Sequence, residues 1–225
     1  MGERFWELDF ARGCAVILMV IYHFFYDMNF FGGGHYDISS GILWIVGRSA
    51  AVMFVFLAGV SMAISYSRNP DFRKFVARGA KILSIAAGIT LVTWLLFPGM
   101  YIAFGVLHLI GLSAIMAYPF IRYRRLNFAL GVLIIAIGIV SFSHTISVPW
   151  LLWLFPYSFN TFDYFPMFPW FGLVLLGIAA GNHFYLKGLP LKPRLPVMQN
   201  LGRHSLLIYL AHQPVLVAII YILTS

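Results

Sequence analysis

The chain has 225 residues, 61% of them hydrophobic and only 10% charged, with a formal net charge of +8 and a single cysteine. Charged residues at less than half their usual share exclude an ordinary soluble domain, and the lone Cys14 excludes an intrachain disulfide framework or a cysteine-based metal site. Long apolar runs recur from end to end with short polar connections, which describes an integral membrane protein, read here as one polytopic domain over 1–225 embedded in a lipid bilayer.

Runs of about 20 apolar residues bounded by charges or by Gly/Pro clusters predict about seven spans, and hence an all-α, polytopic transmembrane helix bundle. The first span, roughly 8–31, holds Arg12 near its start and then His23 and Asp27 in "VIYHFFYD". Arg12 and His23 are separated by about 16 Å of helical rise and by about 20° beyond three full turns, so they share a face. Asp27, one turn beyond His23, lies on that face too and is placed to hold the imidazole and fix its tautomer. The preceding "MGERFWELD" supplies acids and no clean basic region, so this span is expected to stay in the mature protein and not to leave as a signal peptide.

The connection 32–38 contains His35 in "FGGGHYD", where solvation of a turn is the plain expectation. The second span, roughly 39–66, carries Arg48 in "WIVGRSAAVMF"; a guanidinium at that depth is costly unless paired or hydrated, so Arg48 is expected to be functional or salt-bridged. A basic connection follows with Arg68, Arg73, Lys74, Arg78 and Lys81, then the third span, roughly 76–97. The fourth, roughly 101–121, has His108 in its outer half and ends at "IRYRRL", with Arg122, Arg124 and Arg125. The fifth covers roughly 126–143. Beyond it come His144, a solvated loop residue by this topology, and "VPWLLWLFPY" at 148–157, apolar but short and read as re-entrant or interfacial. The sixth span, roughly 164–186, ends near His183 beside a connection with Lys187, Lys192, Arg194 and Arg203. The seventh, roughly 201–224, has His204 near its start and His212 in its middle. His183 and His204 read as hydrogen-bonding residues that hold helices together.

The connections 66–81, 122–125 and 184–203 are basic, whereas 32–38, 98–100 and 144–163 carry no Lys or Arg. That bias predicts the basic loops, and the N-terminus with Arg4, on the cytoplasmic side of the cell membrane, with the C-terminus outside. Positive-inside sorting accounts for the net charge without any nucleic acid, although the same surface suits an anionic ligand. His23, Asp27, Arg48, His108 and His212 then come to matching depths, and five ionisable side chains converge in the outer half.

Five blocks carry a family resemblance: "FWELDFARGCAVILMVIYHFFYD", "VMFVFLAGVSMAIS", "FGVLHLIGLS", "DYFPMFPWFGLVLLGIAAG" and "GRHSLLIYLAHQPVL". In order and over most of the chain they resemble a prokaryotic membrane family related to the catalytic domain of heparan-α-glucosaminide N-acetyltransferase, within the transmembrane acyltransferase superfamily. The first block also resembles membrane acyltransferases of the acyltransferase-three type, whose Arg and His pair falls on Arg12 and His23. The resemblance implies transfer of an acyl group, most simply acetyl, from cytoplasmic acyl-CoA to an amine or hydroxyl of a glycan or other small acceptor at the far side, and by resemblance alone a homodimer.

On that reading the basic mouth at Arg12 attracts the phosphates of acetyl-CoA or another acyl-CoA, the arm threads along the Arg12–His23 face, and Arg48 and His212 complete the coenzyme site. His23 acts as general base with Asp27 orienting it, and Arg48 or His108 stabilises the oxyanion. Direct transfer is preferred, with an acyl-histidine as the other route. The chain has fewer spans than the resembled enzymes. In the heparan-type enzymes asparagine stands where His23 matches and the essential histidine comes about eleven residues later, which makes His35 the rival base. The competing class is a small-solute or proton-coupled transporter, which would use the same intramembrane charges; the chain shows none of the internal duplication usual in secondary transporters.

Overall fold

The computed structural model describes residues 5–142, 149–185 and 195–224. Regular structure there is helical: α1 (Trp6–Phe31), α2 (Gly41–Arg68), α3 (Phe72–Leu96), α4 (Val106–Met116), α5 (Arg124–Phe142), α6 (Met167–Phe184), α7 (Pro196–Arg203) and α8 (Ser205–Thr224). Short 3-10 turns occupy Tyr118–Phe120 and Pro149–Leu151, and among the described residues extended pairing is confined to one bridge between Phe104 and Tyr164. Arg4, His144, Lys187, Lys192 and Arg194 lie outside the described residues.

The all-helical class expected from composition is the one observed. Five helices among the described residues, α1, α2, α3, α6 and α8, are long and apolar enough to cross a bilayer, and each coincides with an expected span. The stretch 101–121 is built differently, as a non-helical lead-in, the eleven-residue α4 and a 3-10 turn. Gly105 stands at the N-cap of α4 and Pro119 within the turn, so no single helix runs through. Eleven residues rise only about 16 Å, roughly half the hydrocarbon thickness. α5 takes up the expected 126–143 span from Arg124. The segment after 148 is a single 3-10 turn whose last carbonyl bonds are Leu152 N–H to Pro149 and Phe155 N–H to Leu151.

The chain divides into two compact units. The first comprises Met1–Leu57 with Pro190–Ser225, the second Ala58–Leu189. In the first, α7 lies on the start of α1 through two glycines: a methyl at Gly13 would overlap the Met198 carbonyl, and one at Gly202 would overlap the Asp9 carbonyl. α8 packs farther along α1, where Ile220 is fully buried and its methyl meets Gly32. The start of α2 meets α1 at Gly47, against the Tyr22 ring.

In the second unit the same device recurs, because helices in lipid gain most from close backbone approach. α3 and α4 cross at Gly79 and Gly111, and α5 and α6 at Gly131 and Gly172, each glycine facing the other's carbonyl. The turn between α4 and α5 leaves carbonyls without helical partners. Fully buried Asn127 donates to the Phe120 and Tyr123 carbonyls at 2.6 and 2.9 Å, and Asn182 donates to that of Ile121.

Candidate functional site

The first unit brings two of the predicted residues together. His23 on α1 and His212 on α8 meet ring edge to ring face, centroids 4.7 Å apart at 76°. His23 Nδ1 is 2.9 Å from the Met19 carbonyl one turn earlier, and His212 Nδ1 is 2.6 Å from the Tyr209 carbonyl. A carbonyl only accepts, so each Nδ1 carries hydrogen and each neutral ring keeps its lone pair at Nε2. Tyr22 and Tyr26 flank His23 at centroid distances of 5.4 and 6.4 Å, and Tyr209 lies 5.6 Å from His212. Two imidazoles thus present basic edges inside a mostly aromatic wall, and the Nε2 of His212 is buried without a hydrogen-bond partner among the described residues.

Asp27 does not orient His23 as expected. Its carboxylate accepts from the Gln213 side chain on α8, and it is 1% exposed. The reason is local: an imidazole on a helix reaches the carbonyl one turn back through its own Nδ1, so Met19 takes the place that Asp27 was expected to fill. Asp27 Oδ2 and Gln213 Oε1 are buried and without partners among the described residues. Pro214 follows within α8 and has no N–H to offer the Leu210 carbonyl. This stretch of α1 and α8 is therefore rich in acceptors and poor in donors.

Arg12 stands about three turns below His23, as the spacing required. It is paired: its Nη1 donates to Asp9 Oδ1 at 3.2 Å, and Arg203 at the end of α7 brings Nε to within 3.6 Å of Asp9 Oδ2. Asp9 itself is 5% exposed. His35 is exposed in the connection after α1, a loop tied down by Asn29, which donates to the Tyr36 carbonyl at 2.6 Å and accepts from the Tyr36 N–H at 2.7 Å. Gly33 supplies the left-handed backbone, φ 67°, that starts this loop.

Arg48, expected to be functional or salt-bridged, is exposed on α2 with its guanidinium 5.5 Å from the centroid of the Trp44 ring one turn away. A helix places side chains four residues apart on one stripe, which brings the aromatic face within reach of the cation. Arg48 follows Gly47, the contact point with Tyr22, and so stands one residue from the aromatic wall beside His23.

His108 belongs to the second unit and both its nitrogens are engaged there. Nδ1 accepts from Gly105 N–H at 3.2 Å, closing the N-terminus of α4, which leaves Nε2 as the donor to Thr90 Oγ1 at 3.3 Å. Thr90 passes its own hydrogen to the Ile102 carbonyl at 2.7 Å. The ring stacks on Phe104. In this arrangement His108 caps α4 and ties it to α3 through Thr90, and its hydrogen bonds lie within the second unit.

The catalytic-domain model of heparan-alpha-glucosaminide N-acetyltransferase matches residues 4–214, which includes α1, α2 and most of the rest of the chain. The chain belongs to this family. The heparan-alpha-glucosaminide N-acetyltransferase family is one of membrane acyltransferases, and the five long apolar helices make this member a multi-pass integral membrane protein. No curated protein and no solved structure matches the chain. Within the matched region, Gln213, Asp9 and Arg203 are site neighbours that sequence reasoning passed over. Asp9 had one visible signal, its spacing of three from Arg12 in "DFAR". Gln213 had none beyond standing next to His212.

Proposed function

We propose that this family member transfers an acyl group, most simply acetyl, from cytoplasmic acyl-CoA to an amine or hydroxyl of a glycan or similar small acceptor at the outer side of the cell membrane, with His23 as general base. The observation that carries the proposal is the His23–His212 pair, in which the Met19 carbonyl fixes the His23 tautomer and aims a basic Nε2 into the site. The acceptor nitrogen or oxygen attacks the thioester carbon while its proton passes to Nε2. The tetrahedral intermediate then expels the thiolate, which takes the same proton and leaves as CoA. Arg48, beside the Tyr22 contact, supplies positive charge for the oxyanion, and His212 with Gln213 and Asp27 lines the acceptor side. Arg12 lies one coenzyme-arm length nearer the cytoplasm, with the N-terminus inside and the C-terminus outside.

Release of free thiol from acetyl-CoA with glucosamine as the acceptor probe tests the assignment. His23→Ala is expected to lower the rate by about a hundredfold or more and to leave stabilisation by acetyl-CoA in place. If His35→Ala is the inactive variant and His23→Ala keeps its activity, the base lies in the loop after α1. If millimolar acetyl-CoA neither reacts with nor stabilises the wild type, acyl transfer from this donor is wrong and a small-solute or proton-coupled transporter is the reading left.

A further inference from the structure

We infer that Asp9 is a positioning residue that holds Arg12 and Arg203 as a two-arginine clamp for the phosphates of the coenzyme, so that Arg203 is a further coenzyme-binding residue; this rests on the acyl-CoA reading above. The carboxylate is almost fully covered, with its side chain 6% exposed, while the arginine side chains it grips are 27% and 42% exposed. One carboxylate faces two guanidinium groups, so Asp9 alone does not balance the charge of the pair. Arg203 is nearest to Asp9 at Nε, 3.6 Å from Oδ2, and its side chain is 42% exposed, so the contact with Asp9 does not use up a guanidinium suited to a fork-shaped partner such as phosphate.

The backbone explains why the clamp is fixed. Gly202 is pressed on the Asp9 carbonyl, and Gly13 takes the Met198 carbonyl, so α7 can approach α1 only with Arg203 at the level of Asp9 and Arg12. A surface arginine on a free loop would lose side-chain entropy on meeting its ligand. Here the cost is met in folding, and the pair stands ready on the α1 face that leads to His23.

The test uses detergent-purified full-length protein and two probes, acetyl-CoA and adenosine 3′,5′-bisphosphate, the latter carrying phosphates and no acyl arm. Arg203→Gln is expected to weaken both by about tenfold or more, and by the same factor. Asp9→Asn separates positioning from simple charge. Removing a negative charge beside an anion site would tighten binding if charge alone mattered, whereas loss of the clamp weakens it several-fold. Equal affinities of wild type and Arg203→Gln for both probes overturn the inference, as does tighter binding by Asp9→Asn. Should Asp9→Asn not fold, Arg203→Gln alone decides. Binding of acetyl-CoA without any binding of the bisphosphate removes the clamp but leaves the acyl-CoA reading standing; binding of neither removes both.

Discussion

Asp163 stands in the connection before α6 yet serves the start of α4, where its Oδ2 accepts from Val106 N–H at 3.0 Å. It reaches that place through Gly105, at which a methyl would overlap the carboxylate. Desolvation pushes its pKa up to about 6 from 3.8, and the Val106 N–H offsets only part of that. The folded chain therefore keeps a proton that the unfolded chain has already released between these values, and the group's contribution to stability falls as pH rises through that window and is constant above it. The loss is at most about 3 kcal/mol. Asp163→Asn keeps an acceptor for Val106 and removes the slope, so the melting temperature of the variant relative to wild type should rise from pH 4 to pH 6 and level off by pH 7. Parallel curves would show that the carboxyl is not held in its neutral form. Neither this residue nor the contact of Asp9 with Arg203 was legible in the sequence, because each draws its meaning from a partner 57 or more residues away in the chain. His23 and His212 were legible, since an ionisable group in an apolar run announces itself without any partner.

Among the helices, close approach at glycine is the recurrent determinant, and it separates two kinds of glycine that the sequence does not distinguish. Gly202→Ala must drive α7 off the Asp9 carbonyl and is expected to cost on the order of 1–3 kcal/mol, seen as a lower melting temperature. Gly88→Ala in α3 meets nothing within 4 Å and should be neutral or stabilising, by up to about 1 kcal/mol from helix propensity. Equal losses at the two sites would mean that the α1–α7 contact is not set by backbone approach. The long helices α1, α2, α3, α6 and α8 could be read directly, since runs of apolar residues have few other solutions in lipid. α7 could not. Its eight residues, "PVMQNLGR", have no apolar run and vanish into a basic connection, although they place Arg203. α4 was hidden for the opposite reason: 101–121 is apolar throughout and reads as one long helix, and only the cap at Gly105 and the turn at Pro119 reveal a shorter element.

At the scale of the molecule the charge asymmetry argues for the topology, because the three basic connections alternate with three that have no Lys or Arg. The shortness of α4 does not disturb this, provided that 101–121 as a whole carries the chain back across to Arg122. A reporter active only in the cytoplasm should be silent after Ser225 and active within 186–194. The reverse pattern would place Arg12 and Arg203 on the wrong side for a cytoplasmic coenzyme. Family membership was legible from the ordered blocks, while the pairing of side chains within them was not, since a shared pattern of spans leaves the hydrogen-bond partners of His23 undetermined.

The tether between His23 and the Met19 carbonyl also bears on the order of events. If His23 is the base proposed above, a ring held at Nδ1 cannot swing to carry a proton from one place to another, and Nε2 would both receive the acceptor's proton and return it to sulfur. Acceptor and thioester would then occupy the same edge of the imidazole at the same time, and initial-rate lines are expected to intersect, as for a ternary complex in which neither substrate takes a turn alone. Were the acyl group to rest on Nε2 instead, that atom would be unable to hold a proton, and the neighbouring Nε2 of His212, buried and unpartnered among the described residues, would be the nearest base left to receive it.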